Sequence, residues 1–306
     1  MQDPARAIPR PPEPEVYENL RAISWLLLSV AASSAMTIAV RVMSFEMHPS
    51  MIVFLRFSFT SVLLFALVLV FQRYREQMTF TQPGSHLIRG LFMAISTHLG
   101  FYAIANMELV TVTVLFFMVP IFATALSGVI NHERPGPRRI IAIAVSFLGV
   151  ILILKPGYQP LNQAVFAALA SSVLFAGALV MSRKLASKDG TFATLISSTT
   201  ITFLFSIPLV IPVWELPESA SMWGIVAFLV ITGLIRLVGD LQAYRLGEAS
   251  VLAPITYLRL ILIGAAAYVM FNEVPDGLAL IGTAIIIASA LYIARREARL
   301  KRAAQS

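Results

Sequence analysis

Ten stretches of this chain are long and apolar enough to be read as membrane spans, and they fix the class of fold open to it. The hydrocarbon core of a bilayer is about 30 Å thick, so a spanning helix needs about 20 predominantly apolar residues. Such runs occur at 22–43, 49–71, 86–105, 109–130, 139–154, 161–182, 191–213, 222–243, 250–271 and 277–294. The fifth is short, and Arg138 and Lys155 at its ends can snorkel outward to lengthen it. The connections are short, which leaves no room for a separate soluble domain. With 58% of residues hydrophobic and 13% charged, the chain also lacks the polar shell of a soluble globule. The expectation is an all-α integral membrane protein of ten transmembrane helices.

Residues 1–21 carry five prolines and read as an extended, disordered tail, and 295–306 as a basic tail. The small residues AASSA at 31–35 suit a signal-peptide cleavage site. The apolar run continues past them and nine more spans follow, so no cleavage is expected. Charge sets the orientation. With a cytoplasmic N-terminus, eighteen of the 23 Lys and Arg fall in cytoplasmic segments, while only Arg41 and Lys155 fall in outer ones. Arg56, Arg236 and Arg259 lie inside spans. This split predicts both termini in the cytoplasm. It also explains the net charge of +7, which in a soluble protein would suggest nucleic acid; no nucleic-acid partner is expected here, and the partner surface is the lipid bilayer.

The halves 22–155 and 161–294 resemble each other. The first has Tyr102 and then Glu133-Arg-Pro135; the second has Tyr244 and then Glu273-Val-Pro275. The intervals from Tyr to Glu are 31 and 29 residues. In each half Glu ends an apolar run and Pro starts the next helix, where its missing N–H costs nothing. Five spans per half is an odd number, so the second half enters the membrane upside down. Inverted repeats of this kind are typical of secondary transporters, with the site near the midplane between them.

The motif FLRF (54–57), the ending NHERPGP (131–137), the stretch AYRLGEASVLAPITYLRL (243–260) and FNEVPDG (271–277) complete the pattern. In their order and spacing they resemble the EamA-type transporters of the drug/metabolite transporter superfamily. The resemblance implies two inverted five-helix repeats, with helices one to four and six to nine around a central cavity and five and ten at the periphery. It implies an inner-membrane carrier of small metabolites, often amino acids or related amphipathic compounds. One departure stands out: Pro120 lies thirteen residues before Glu133, whereas Leu260 holds that place before Glu273, so a symmetric hinge there is not expected.

Ionisable residues near the bilayer centre are costly and mark function by default. Arg56 falls about 6 Å, and Arg259 about 3 Å, from the middle of its span at 1.5 Å per residue. In the eighth span Gly233, Arg236, Asp240 and Tyr244 share one helical face. Arg236 and Asp240 can pair there, either to fix helix packing or to meet a substrate, and Arg245 can compete for Asp240. In the ninth span Leu252, Thr256, Arg259 and Ala266 share a face, and Pro254 breaks the backbone one turn from Arg259. In the third, His98, Tyr102 and Asn106 recur every four residues; His98 reads as a packing residue or a proton-coupling group beside Asp240. Tyr257 is amphipathic enough to line a cavity. Ala168, Ser172 and Ala176 form a close-packing stripe without chemistry.

The expected substrate-binding set is therefore Arg56, His98, Tyr102, Arg236, Asp240, Tyr257 and Arg259. Three arginines against one aspartate favour an anionic or zwitterionic small molecule. Neither a cofactor nor a metal is expected. The sequence contains no GxxxxGK[ST], GxGxxG or GxSxG, no paired histidine spacing and no cysteine, which argues against ATP-driven transport and against an enzyme. An inverted repeat within one chain argues against a channel built of symmetric subunits. The reading is a secondary carrier working by alternating access, with substrate, direction, coupling and oligomeric state open.

Overall fold

A computed structural model describes residues 14–130, 137–154, 162–246 and 249–305, and among these no strand occurs. The helices are α1 (Pro14–Met43), α2 (Pro49–Val70), α3 (Gln72–Arg75), α4 (Pro83–Asn106), α5 (Leu109–Phe116), α6 (Val119–Ile130), α7 (Pro137–Leu154), α8 (Gln163–Val210), α9 (Ala220–Leu246), α10 (Ala249–Thr256), α11 (Leu258–Phe271) and α12 (Gly277–Gln305). Several starts follow from local chemistry. Pro49, Pro83 and Pro137 open α2, α4 and α7, where the lost N–H has no intrahelical acceptor anyway. His48 Nδ1 and Asn162 Oδ1 accept the Ser50 and Ala164 amides as N-caps.

Eight helical segments among the described residues are long and apolar enough to cross a membrane; Ile140–Leu154 and Gly277–Ile293 are shorter apolar helices at the fifth and tenth expected positions. Large apolar side chains point outward, with Val62 at 67%, Leu69 at 73% and Ile261 at 67% exposure, as lipid-facing surfaces require. The buried interior holds Met43, Met51, Ile52, Leu109, Leu115 and Met118.

Several boundaries depart from expectation. Helix α1 begins at Pro14, inside the stretch read as a disordered tail, and α12 continues to Gln305 through the basic tail. The Ala, Arg, Glu, Leu and Lys of that last segment are strong helix formers. Residues 1–13 lie outside the described residues. The loop expected after residue 182 is instead helical up to one break at Gly190, with φ 84° and ψ 159°. Only glycine adopts that backbone freely, so a single residue divides α8 into a first limb, residues 163–189, and a second, residues 191–210.

The packing pairs are α1 with α9, α4 with both limbs of α8, α7 with α12, α2 with α8 and α5 with α11. Helices α7 and α12 approach most closely at two glycines. A Cβ on Gly149 would lie 2.8 Å from the Gly282 carbonyl oxygen, and one on Gly282 would lie 2.5 Å from the Gly149 oxygen. The stripe Ala168, Ser172 and Ala176 is fully buried, and Ser172 Oγ donates to the Leu115 carbonyl at 3.1 Å.

The fourth and ninth expected spans are both interrupted. After α5, the Phe117 amide bonds to the Thr113 and Val114 carbonyls at 3.2 and 3.0 Å, and Met118 to Leu115 at 3.1 Å. After α10, Tyr257 bonds to Pro254 at 3.3 Å and Leu260 to Tyr257 at 3.0 Å. Both sites tighten into i→i−3 bonding. The breaks stand 140 residues apart in sequence, and the Phe117 and Tyr257 rings meet at 4.9 Å. The breaks fall three residues before Pro120 and Leu260, the two places compared above, while the prolines that free the backbone sit on opposite sides: Pro120 three residues after one break, Pro254 three residues before the other.

Candidate functional site

Arg56, on α2, extends toward α9. A Cβ on Gly233 would stand 3.0 Å from Arg56 Nη2 and 3.1 Å from Nε, so the guanidinium rests against bare α9 backbone. The Phe57 and Phe101 rings lie 4.9 and 5.7 Å from its Cζ. These rings stabilise the cation through their electron-rich faces. No acceptor hydrogen-bonds this guanidinium among the described residues.

One turn on from Gly233, Arg236 Nε lies 3.7 Å from Asp240 Oδ2, a distance too long for a strong hydrogen bond. Their side chains are 30% and 41% exposed. Asp240 Oδ1 accepts instead from Ser29 Oγ of α1 at 2.5 Å. Arg259, at the start of α11, donates through Nη2 to Thr37 Oγ1 of α1 at 2.9 Å, and its Nε is buried with no partner among the described residues. The charge of Arg236 acts on both Arg56 and Arg259, and Asp240 also acts on Arg259. Four of the seven expected residues therefore converge, from α2, α9 and α11, with α1 supplying hydroxyl partners. Arg236 stands within electrostatic reach of both other arginines, while Asp240 is tied to Arg236 and Arg259, so the group carries three cations and one carboxylate.

The other three sit differently. Tyr257 packs on Phe117 at the paired helix breaks. Tyr102 is half-buried against the apolar core. His98 Nδ1 donates to the Ala94 carbonyl at 2.9 Å, its ring meets Phe205 at 5.6 Å, and Nε2 is buried without a partner among the described residues. No contact joins His98 to Asp240 among the described residues. The Tyr244 and Arg245 side chains and residues 131–136 lie outside what is described. An apolar hollow of about 300 Å³, lined by Ala35, Ile38, Val42 and Phe228, opens between α1 and α9, with none of the arginines in its lining.

Two polar networks escaped the sequence reading. At the α8 break, Asp189 accepts from the Thr81 amide at 3.1 Å and from Thr81 Oγ1, and its Oδ2 lies 2.9 Å from His86 Nε2. His86 Nδ1 lies 2.9 Å from Ser197 Oγ, and Arg89 Nε donates to Ser182 Oγ at 2.7 Å. These groups are mutually satisfied, which makes the cluster a joint between α4 and both limbs of α8. At the opposite end, Arg41 Nη1 donates to the Ile104 and Ala105 carbonyls at 3.0 and 2.6 Å, and Nη2 lies 3.6 Å from Glu273 Oε1. Glu273 Oε2 accepts the Leu109 amide at 2.6 Å. Burial pushes the Glu273 carboxyl above its ordinary range, against the pull of the Leu109 amide and Arg41, with Glu108 adding to the rise. The Glu-x-Pro spacing located Glu273 but assigned it only the ending of a helix.

A solved crystal structure shares this fold, with a TM-score of 0.55 at 19% identity over 92% of this chain and 98% of that one. The S-adenosylmethionine uptake transporter of Rickettsia prowazekii is 28% identical over 90% of this chain and 92% of its own. The riboflavin transporter of Vibrio cholerae is 26% identical over 74% and 77%. The pseudopaline exporter of Pseudomonas aeruginosa is 27% identical over 89% and 96%. The EamA-like transporter family matches residues 20–155 and again 162–295, each match spanning the five expected spans of one half. This apolar, multi-pass helical chain is a membrane protein that belongs to the EamA-like transporter family.

Proposed function

We propose that the protein is a secondary carrier that moves a small amphipathic metabolite, an amino acid or related organic anion or zwitterion, across the inner membrane by alternating access. Two inverted five-helix units, 22–155 and 161–294, rock about a midplane site, with both termini in the cytoplasm. The observation that carries this reading is the grouping of Arg56 and Arg259 with the Arg236–Asp240 pair. A carboxylate meets the guanidiniums, and a zwitterion's ammonium has Asp240. The corresponding breaks at Phe117 and Tyr257 support it, since interrupted helices in transporters line the site. So do the reciprocal pairs α1–α9 and α4–α8, which an inverted two-fold would exchange. The double family match adds weight, and the relatives' names span small molecules carried in either direction.

The test is transport by the purified protein in proteoliposomes, with substrates first ranked by thermal stabilisation against amino acids, S-adenosylmethionine, riboflavin and small organic acids. A carrier gives saturable uptake with counterflow. Arg56→Gln, Arg236→Gln and Arg259→Gln each reduce it while the protein still inserts. Full transport by all three variants refutes the site; non-saturating flux refutes the carrier.

A further inference from the structure

In the orientation proposed above, the Arg41 end of the bundle faces outward, and there the segments matched by the two family units meet through Glu273, the Phe45 and Phe271 rings and a longer bond from Asn162 Nδ2 to the Asn106 carbonyl at 3.4 Å. Arg41 is committed within the first segment: Nη1 caps the carbonyls left free at the α4 C-terminus. Its approach to Glu273 at 3.6 Å is beyond hydrogen-bond distance, so it is the weaker tie. The strong tie is Leu109 N–H to Glu273 Oε2 at 2.6 Å. Glu273 is held for this by the end of α11, where Asn272 turns left-handed at φ 54° and the Glu273 amide returns to the Ala267 carbonyl at 3.1 Å. Asparagine accepts that conformation at little cost. Above this joint the Phe45 and Phe271 rings, one from each segment, stand 6.1 Å apart and flank the Arg41 guanidinium.

We propose that Glu273 is a releasable latch, which shuts the outer mouth by receiving the amides at the start of α5, Leu109 above all, and lets it open when they part. Arg236 and Asp240, toward the other end, keep 30% and 41% of their side-chain surface exposed. The carboxyl faces Arg41 from α1 and Glu108 from the turn before α5. Glu46 and His48, after α1, are exposed, and Asp276 accepts the Ala279 amide as the cap of α12. Burial raises the affinity of Glu273 for a proton in the closed arrangement, whereas in water it returns to the ordinary value. Linkage therefore makes acid favour closure and alkali favour release. A protonated carboxyl still offers a carbonyl oxygen to Leu109.

The chain has no cysteine, so a labelled pair needs no background removal. Spin labels at Asn106→Cys and Val274→Cys report the distance across the joint by double electron–electron resonance. Glu273→Ala lengthens and broadens that distance, while Glu273→Gln, which keeps an acceptor, stays short and insensitive to pH. The parent narrows as pH falls toward the ordinary carboxylate range. If Glu273→Ala superimposes on the parent, or if Glu273→Gln opens as far as Glu273→Ala, the latch is overturned. Should Glu273→Ala fail to insert, the parent alone decides, since a flat pH response overturns it too. The inference rests on the transport reading only for the meaning of the mouths. The distance is read without substrate, so its failure and that of the transport reading are separate results.

Discussion

Replacing Gly233 by alanine isolates the role of Arg56 from the stability of the fold. The added Cβ would sit 3.0 Å from Nη2, 3.1 Å from Nε and 3.4 Å from Cζ of Arg56. Favourable heavy-atom contacts begin near about 3.5 Å, so the guanidinium must retreat by about 0.5 Å. It is the far end of a flexible side chain, so the helices need not move. Alanine is also the better helix former, by about 0.5–1 kcal/mol, and the melting temperature should hold or rise. Transport should suffer. A hydrogen bond to a charged group contributes about 1.5–3 kcal/mol, and losing a third to a half of it costs about 1 kcal/mol. That corresponds to roughly a fivefold rise in KM for proteoliposome uptake. Gly224→Ala, on the same helix with nothing within 4 Å of the new methyl, is the control and should leave KM unchanged. Equal KM values for the two variants would refute the argument that this guanidinium contacts substrate.

Asp240→Asn keeps an acceptor for Ser29 and removes the only carboxylate among the four convergent residues; uptake of a zwitterion should fall sharply while that of a simple organic anion persists. Gly282→Val drives a side chain into the Gly149 carbonyl and should destabilise the α7–α12 contact by about 1–3 kcal/mol, seen as a lower melting temperature with KM unchanged. Asp189→Ala strips the acceptor shared by Thr81 and His86 and should lower the melting temperature without altering substrate affinity, because the network lies at the α8 break and touches none of the four convergent residues. His98→Gln tests the proton-coupling alternative: with no contact to Asp240, it should leave the pH profile of uptake unmoved.

Hydrophobic runs gave away the helices because a bilayer demands length and apolarity from each span separately. The same reasoning marked Arg56, Arg236 and Arg259, since a cation in an apolar run is anomalous wherever it points. Arg41 and Glu273 carried no comparable signal. Each stands at a helix end, where charge is ordinary, and only packing reveals that Glu273 receives the Leu109 amide and that Arg41 Nη1 caps the end of α4. The Asp189 network was hidden for a similar reason: His86, Asp189 and Ser197 are separated by a connection and a helix break.

The helix breaks mark the division most clearly. Pro120 and Pro254 are visible as single residues, yet they sit at unmatched places, so the correspondence of Phe117 and Tyr257 emerges only when their rings are found in contact. Sequence alone determined what depends on the chain near each residue: where the apolar helical runs lie and which charges are out of place within them. Tertiary structure alone decided what depends on neighbours far along the chain. It brought three arginines to one aspartate, left His98 apart from it, and turned a helix-ending glutamate into a joint between two segments. Local propensity acts over a turn or two of helix, whereas the partners of a buried charge are chosen by how whole helices pack.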